Sequence, residues 1–143
     1  MLFCIVAFEA CSSSMRFSSV RTSSGTPSVT AAQSGGSQQQ GVPVPSGTII
    51  RGMASYYGDE FEGRLTSNGE VFSQQLLTAA HKTLPFGTKL KVTNSKTKRS
   101  VFVRVNDRGP FVEGRVLDLS RYAAEKLDMV GDGVAPVTIV VME

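Results

Sequence analysis

The chain has 143 residues, 41% hydrophobic and 19% charged, with 14 Gly and 6 Pro, which is enough for one globular core and an additional segment. A formal charge of +3 and a single histidine make a weak basic surplus that requires no polyanion, so nucleic acid is not an expected partner. The only two cysteines are Cys4 and Cys11, which excludes a disulfide or a thiol nucleophile from everything after them.

In chain order, Leu2 to Phe8 is an apolar run followed by Ala10-Cys11 and three serines. The run is too short to cross a bilayer, which takes about 20 apolar residues as a helix. It resembles a bacterial lipoprotein signal, in which a cysteine after small residues becomes lipidated. This implies an exported protein, lipid-anchored to a membrane through Cys11 and facing the periplasm. Ser12 to Thr48 is dominated by Ser, Thr, Gly, Gln and Pro and includes Gln38-Gln39-Gln40. Such a segment cannot bury enough apolar area to offset the entropy of ordering it, so a flexible tether is expected. The expected organisation is a leader over 1–11, a tether over 12–48 and a folded domain over 49–143.

From Ile49 the pattern changes to short alternating runs separated by Gly, Asn and Pro. Lys89 to Thr93 alternates polar and apolar, and Ser100 to Asn106 sets Val101, Val103 and Val105 on one face against Phe102, Arg104 and Asn106 on the other. The polar stretch Asn94 to Arg99 between them predicts a hairpin. Further strands are expected at Thr48 to Tyr57, around Phe72 to Ala80, at Arg115 to Leu117 and at Val137 to Met142. Ser120 to Leu127 alone has a helical pattern, with Ser120 as N-cap and Ala123, Ala124 and Leu127 at helical spacing. Many short strands and little helix predict a small, mainly β barrel.

Three side chains stand out within this pattern. Asp107 ends a strand in Asn106-Asp107-Arg108-Gly109-Pro110, where a carboxyl is held firmly; the same residues are also good turn chemistry, and Asp107 could serve only local backbone. Glu70 follows an Asn-Gly turn signal and reads either as a solvated acid or as a second carboxyl in a site. His81, the only histidine, sits in LTAAHKTLPFG, between Ala79-Ala80 and a Leu-Pro-Phe-Gly turn. A lone histidine is more often structural than catalytic.

Taken together, GMASYYGDEFEGRLTSNGE, LLTAAHKTLPFGTKLKVTN, RSVFVRVNDRGPFVEGRVLDLS and AAEKLDMVGDGVAPVTIVV resemble the double-psi β-barrel domain of the rare lipoprotein A family, from about Gly52 to Val141. The resemblance implies a six-stranded double-psi β-barrel with one or two short helices, peptidoglycan as substrate and lytic transglycosylase chemistry without a cofactor. It implies Asp107 as the catalytic acid/base and Glu70 and His81 as the other catalytic residues, with His81 hydrogen-bonding a carboxyl or the sugar. A single carboxyl is sufficient, because the muramyl 6-hydroxyl replaces water as the attacking group. Around these, Tyr56 and Tyr57 are expected either as sugar-stacking faces or as core or barrel-rim packing, Thr66 and Asn68 as partners of N-acetyl groups, and Arg108 as a partner of muramyl or peptide carboxylates. Arg104 and Arg115 are expected to be surface residues or to form structural ion pairs. The family's Phe-His-Gly is replaced here by Phe61-Glu62-Gly63, an added acid near the site. Many relatives carry a C-terminal SPOR domain that binds peptide-free glycan at the division septum. The chain stops at Glu143, so a short form is expected and septal targeting is not carried over.

The expected partners are glycan strands, the membrane through the lipid anchor, and cell-division or envelope proteins, with the protein itself a monomer. The alternatives are an expansin-like module that holds glycan without cutting it and an envelope protein that docks onto a partner. The joint presence of Glu70, His81 and Asp107 weighs against the first. No metal-ligand spacing surrounds the single histidine, no Gly-x-Ser-x-Gly elbow occurs, and no aromatic platform interrupts the basic hairpin.

Overall fold

The computed structural model describes residues 41–143; the leader, Cys11 and the tether up to residue 40 lie outside the described residues. The strands are β1 (Ile49–Tyr56), β2 (Thr78–Ala80), β3 (Lys89–Asn94), β4 (Ser100–Asp107), β5 (Arg115–Leu119) and β6 (Ala135–Val141). A 3-10 turn at Asp59–Phe61 follows β1, and helix α1 (Arg121–Lys126) lies between β5 and β6.

The strands close into a barrel in the order β1-β5-β2-β4-β3-β6. β1 and β5 run parallel, as do β2 and β4, while the other neighbours are antiparallel. This interleaving of two parallel pairs is the double-psi barrel expected from the sequence. Closure pairs every strand on both sides and leaves no open edge.

The alternation of β4 has the predicted effect. Val101, Val103 and Val105 face inward at 7%, 3% and 0% exposure, and Phe102 is 57% exposed. They join Leu90, Val92, Leu117, Leu119, Ile139 and Val141 in one core. At α1 the Ser120 hydroxyl accepts from Ala123 N, the predicted N-cap, and Ala123 and Ala124 are buried. The predicted hairpin of β3 and β4 forms, and its register sets Val92 opposite Val101.

Two expectations are corrected. Only Thr78–Ala80 of the Phe72 to Ala80 stretch is a strand. The buried Gln74 side chain ties the preceding residues into a loop, donating to Tyr57 O and Gly58 O and accepting from Arg121 N. The folded part also begins before residue 49: Val42 N donates to Thr83 O at 2.8 Å, Gly47 N donates to Val141 O at 2.7 Å, and Val44 packs on the core. A Cβ on Gly41 would lie 2.2 Å from Thr83 O, so a residue that reads as linker composition is there because the backbones approach closely.

Both parallel pairs carry a bulge. Between β2 and β4 the register passes from Ala79↔Val105 to Ala80↔Asp107, leaving Asn106 extra. Between β1 and β5 it passes from Met53↔Arg115 to Ala54↔Leu117, leaving Val116 extra. A bulge twists its strand and re-aims the side chains beyond it. The first one therefore sets the direction of Asp107.

Candidate active site

The topology brings the chemistry to one end of the barrel. Ala80 of β2 pairs with Asp107 of β4 on one side and with Asp118 of β5 on the other. The two carboxylates are therefore two strand spacings apart, about 10 Å between backbones. Tyr57 follows β1 and is fixed by its N–H to Leu119 O at 2.9 Å. A pocket of about 360 Å³ opens here, its walls including Tyr57, Phe61, Arg64, Leu65, Asp107, Arg108, Phe111 and Asp118. A larger and mostly apolar groove of about 810 Å³ lies along β3, β4 and β6, lined by Leu77, Phe102, Val140 and Met142 among others. It contains none of Asp107, Glu70 and His81; the smaller pocket is lined by Asp107, though by neither Glu70 nor His81, and is the candidate site.

Asp107 is held unevenly. Its Oδ1 accepts from Ser67 N at 2.8 Å, Ser67 Oγ at 2.6 Å and Arg108 N at 2.8 Å. Its Oδ2 accepts from Tyr57 Oη at 2.8 Å. Burial opposes the charge, but the donors from Ser67, Tyr57 and Arg108 outweigh it and hold the carboxyl below its ordinary range. The Tyr57 hydroxyl shifts the opposite way, raised by burial and by its hydrogen bond to the Asp107 charge. Phe61 and Phe72 pack against the Tyr57 ring, with centroids 5.1 Å and 4.7 Å away. That ring is wedged between them and is not a bare face for sugar stacking.

Glu70 has no comparable open oxygen. Arg104 Nη1 and Nη2 donate to Oε1 and Oε2 at 2.7 Å and 2.8 Å, Asn68 Nδ2 donates to Oε1 at 2.9 Å, and Asn106 Nδ2 donates to Oε2 at 3.2 Å. Arg104, foremost among these, lowers the Glu70 pKa to about 2 against some opposing burial. Arg104 thus forms the expected structural pair. Thr66 and Asn68 serve the same turn: Thr66 Oγ1 donates to Asn68 Oδ1 at 2.6 Å, and Glu70 N donates to that oxygen at 3.1 Å. Gly69, at φ 87°, supplies the left-handed step that the turn needs.

His81 is buried at the end of β2, and its N–H donates to Asp107 O at 3.2 Å. Its Nδ1 accepts from Thr83 N at 3.2 Å and Leu84 N at 3.1 Å. That nitrogen is therefore committed to the turn and not to a carboxyl, which places the proton of the neutral ring on Nε2. Burial, then the charges of Arg108 and Lys82, lower its pKa and favour the neutral form. Arg108 Nη1 donates to Leu84 O at 2.8 Å, and its guanidinium stacks 3.8 Å above Phe86. These contacts brace the His81 turn. Tyr56 points elsewhere, donating to Val130 O at 3.1 Å. Glu62 accepts from Gln74 N at 2.6 Å and so belongs to the loop lining one wall.

Sequence reasoning missed Ser67, Asp118 and the pocket rim. Leu65 is 73% exposed and Phe111 85% exposed, and Arg64 lies 5.3 Å from the Phe61 ring centre. An apolar residue on either side of polar turn residues was the available signal for the rim. Nothing in Thr66-Ser67-Asn68-Gly69 announced that the serine reaches across to β4.

Residues 49–139 match the lytic transglycolase family. Over 99 residues the chain is 56% identical to the endolytic peptidoglycan transglycosylase RlpA of Campylobacter jejuni, covering 69% of this chain and 36% of that protein. It is 52% identical over 98 residues to the RlpA of Vibrio cholerae, covering 68% of this chain and 37% of that protein. The chain thus spans about a third of the length of these relatives. Among solved structures, a mutant Clavibacter michiganensis expansin in complex with cellohexaose superposes with a TM-score of 0.55 at 23% identity, over 67% of this chain and 51% of that one. At that identity the likeness concerns the barrel alone.

Proposed function

The chain belongs to the lytic transglycolase family, and from that premise we propose that it cleaves the β-1,4 bond between N-acetylmuramic acid and N-acetylglucosamine in peptidoglycan, with Asp107 as its acid and base. The observation that carries this reading is the asymmetry of Asp107: among the described residues, Oδ1 is met by three donors, whereas Oδ2 has Tyr57 alone at the wall of an open pocket. In the free protein the carboxyl is ionised. A sugar seated in the pocket strips water from Oδ2, which disfavours the charged form and draws a proton onto it. Oδ2 then gives that proton to the glycosidic oxygen as the bond from muramyl C1 breaks. The regenerated carboxylate takes the proton of the muramyl 6-hydroxyl as its oxygen bonds to C1, closing the 1,6-anhydro ring. Protons balance over the cycle and no water is consumed.

His81, with Nδ1 held by the turn, offers Nε2–H to sugar or developing charge. Phe111 and Leu65 give the pocket an apolar rim suited to sugar faces and N-acetyl methyl groups. Export to the periplasm, a lipid anchor on Cys11, envelope or division partners and a monomeric state belong to the same proposal. The support for export and the anchor is the leader and tether composition.

Incubation of purified glycan strands with the protein, followed by mass spectrometry, tests the reading. Release of 1,6-anhydromuramyl products by the parent and not by Asp107→Asn is the expected result. Binding without products would place the chain with non-catalytic, expansin-like modules.

A further inference from the structure

Glu70 and Asp107 are joined through the backbone of one turn. The Glu70 carboxylate is clamped to β4 by Arg104 and by Asn106, the bulge residue. The turn is pinned at both ends, since Thr66 N donates to Glu70 O at 2.8 Å and Asn68 N donates to Asn106 O at 3.3 Å. Ser67 projects from its middle and gives both its N–H and its O–H to Oδ1 of Asp107. A carboxylate whose lone pairs already meet two guanidinium nitrogens and two amides has little left to offer a sugar. Its oxygens instead fix where the turn sits.

Resting on the reading of Asp107 as the proton carrier, we propose that Glu70 is a positioning residue acting through Ser67, which locks Oδ1 of Asp107 and leaves Oδ2, shared with Tyr57, as the oxygen that exchanges the proton. Ser67 is thereby a functional residue of the site, and the second carboxylate is its anchor. The other charged and titratable groups at this end of the barrel are Tyr57 at the end of β1, Asp118 on β5, Arg108 after β4, His81 after β2 and Arg64 in the pocket wall. All are left intact by the variants below.

The test is a carbon-13 NMR titration of the Asp107 carboxyl in the full chain, with glycan turnover followed in parallel, for Ser67→Ala, Glu70→Gln and the double variant. Removing the Ser67 hydroxyl should raise the Asp107 midpoint by about one pH unit, the effect of one hydrogen bond to a charged group. It should also lower the plateau turnover about tenfold with KM within about twofold, the signature of lost orientation. Glu70→Gln should move the midpoint the same way by less, and the double variant should shift by less than the sum of the two single effects, because both act on one oxygen. Ser67→Thr, which keeps the hydroxyl, should restore the midpoint. Should Glu70→Gln unfold the chain, Arg104→Lys loosens the same clamp and carries the same expectation. A midpoint unmoved by Ser67→Ala, or single effects that add in the double variant, would overturn the proposal. The titration is independent of turnover: expected midpoints in a parent that releases no anhydro product would remove the transglycosylase reading and leave the positioning chain intact.

Discussion

The turn that carries Glu70 and the strand end that carries Asp107 are built from the same materials and do different work. Each presents one carboxylate among hydroxyls, amides and an arginine. Around Glu70 the arginine meets the carboxylate side by side, with nitrogen to oxygen distances of 2.7 Å and 2.8 Å. Around Asp107 the arginine side chain turns away to Leu84 O, and neutral donors crowd a single oxygen. A carboxylate saturated by a fixed cation gains stability and loses reactivity; one held on one side only is oriented and still able to exchange a proton.

The largest expected effect falls on the reactive side. Asp107→Asn keeps the shape and most of the hydrogen bonds, so thermal unfolding should shift little, while product release falls by at least about 10³-fold. Retained turnover would erase the distinction between the two carboxylates. Next, Arg104→Met leaves Glu70 without its cation. Because both side chains are 39% exposed, the stability loss should stay near ~1 kcal/mol, lowering the midpoint of a calorimetric melt by about 4–8 °C for a domain of this size. A smaller change is expected from Tyr57→Phe, which removes the one donor that the described residues give Oδ2. Turnover should fall about tenfold with KM nearly unchanged, and an unaltered turnover would show that the oxygen assignment is wrong.

The subtlest effect is acid lability. Glu70 has a folded pKa of about 2, below its ordinary 4.5, and Asp107 is lowered as well. Depressed carboxylates stabilise the fold fully above their ordinary range and lose that contribution as pH falls through the folded values. Urea unfolding should therefore be flat from pH 8 to about 7, weaken below about 6.5 because the unfolded chain protonates His81 more readily than the fold does, and weaken further from about pH 4.5 toward 2. Glu70→Gln should shallow that decline, and an equally steep decline would place the acid-labile contact elsewhere.

Much of the barrel was readable in the chain. The valines of β4, the cap at Ser120 and the Asn94 to Arg99 hairpin loop are local signals, and local signals decide strands, caps and turns. The expectation that Asp107 and His81 share one site came from motif resemblance. What stayed hidden depends on contacts between distant segments. The extra Asn106 is visible only as a register shift against β2. Ser67 looks like any turn serine until residue 107 is placed 2.6 Å from its hydroxyl. Tyr57 reads as a sugar platform until Phe61 and Phe72 flank it. The end of the tether was misplaced for the same reason, since glycine and proline composition says nothing about the carbonyl of Thr83 waiting for Val42 N–H.

The central claim is that one carboxyl moves a proton from the muramyl 6-hydroxyl to the leaving oxygen with no water in between. Digestion of glycan strands in water enriched in oxygen-18, read by mass spectrometry, tests it most directly. The account predicts 1,6-anhydro ends carrying no heavy oxygen. Reducing ends with one heavy oxygen at C1 would contradict it and make the protein a hydrolase.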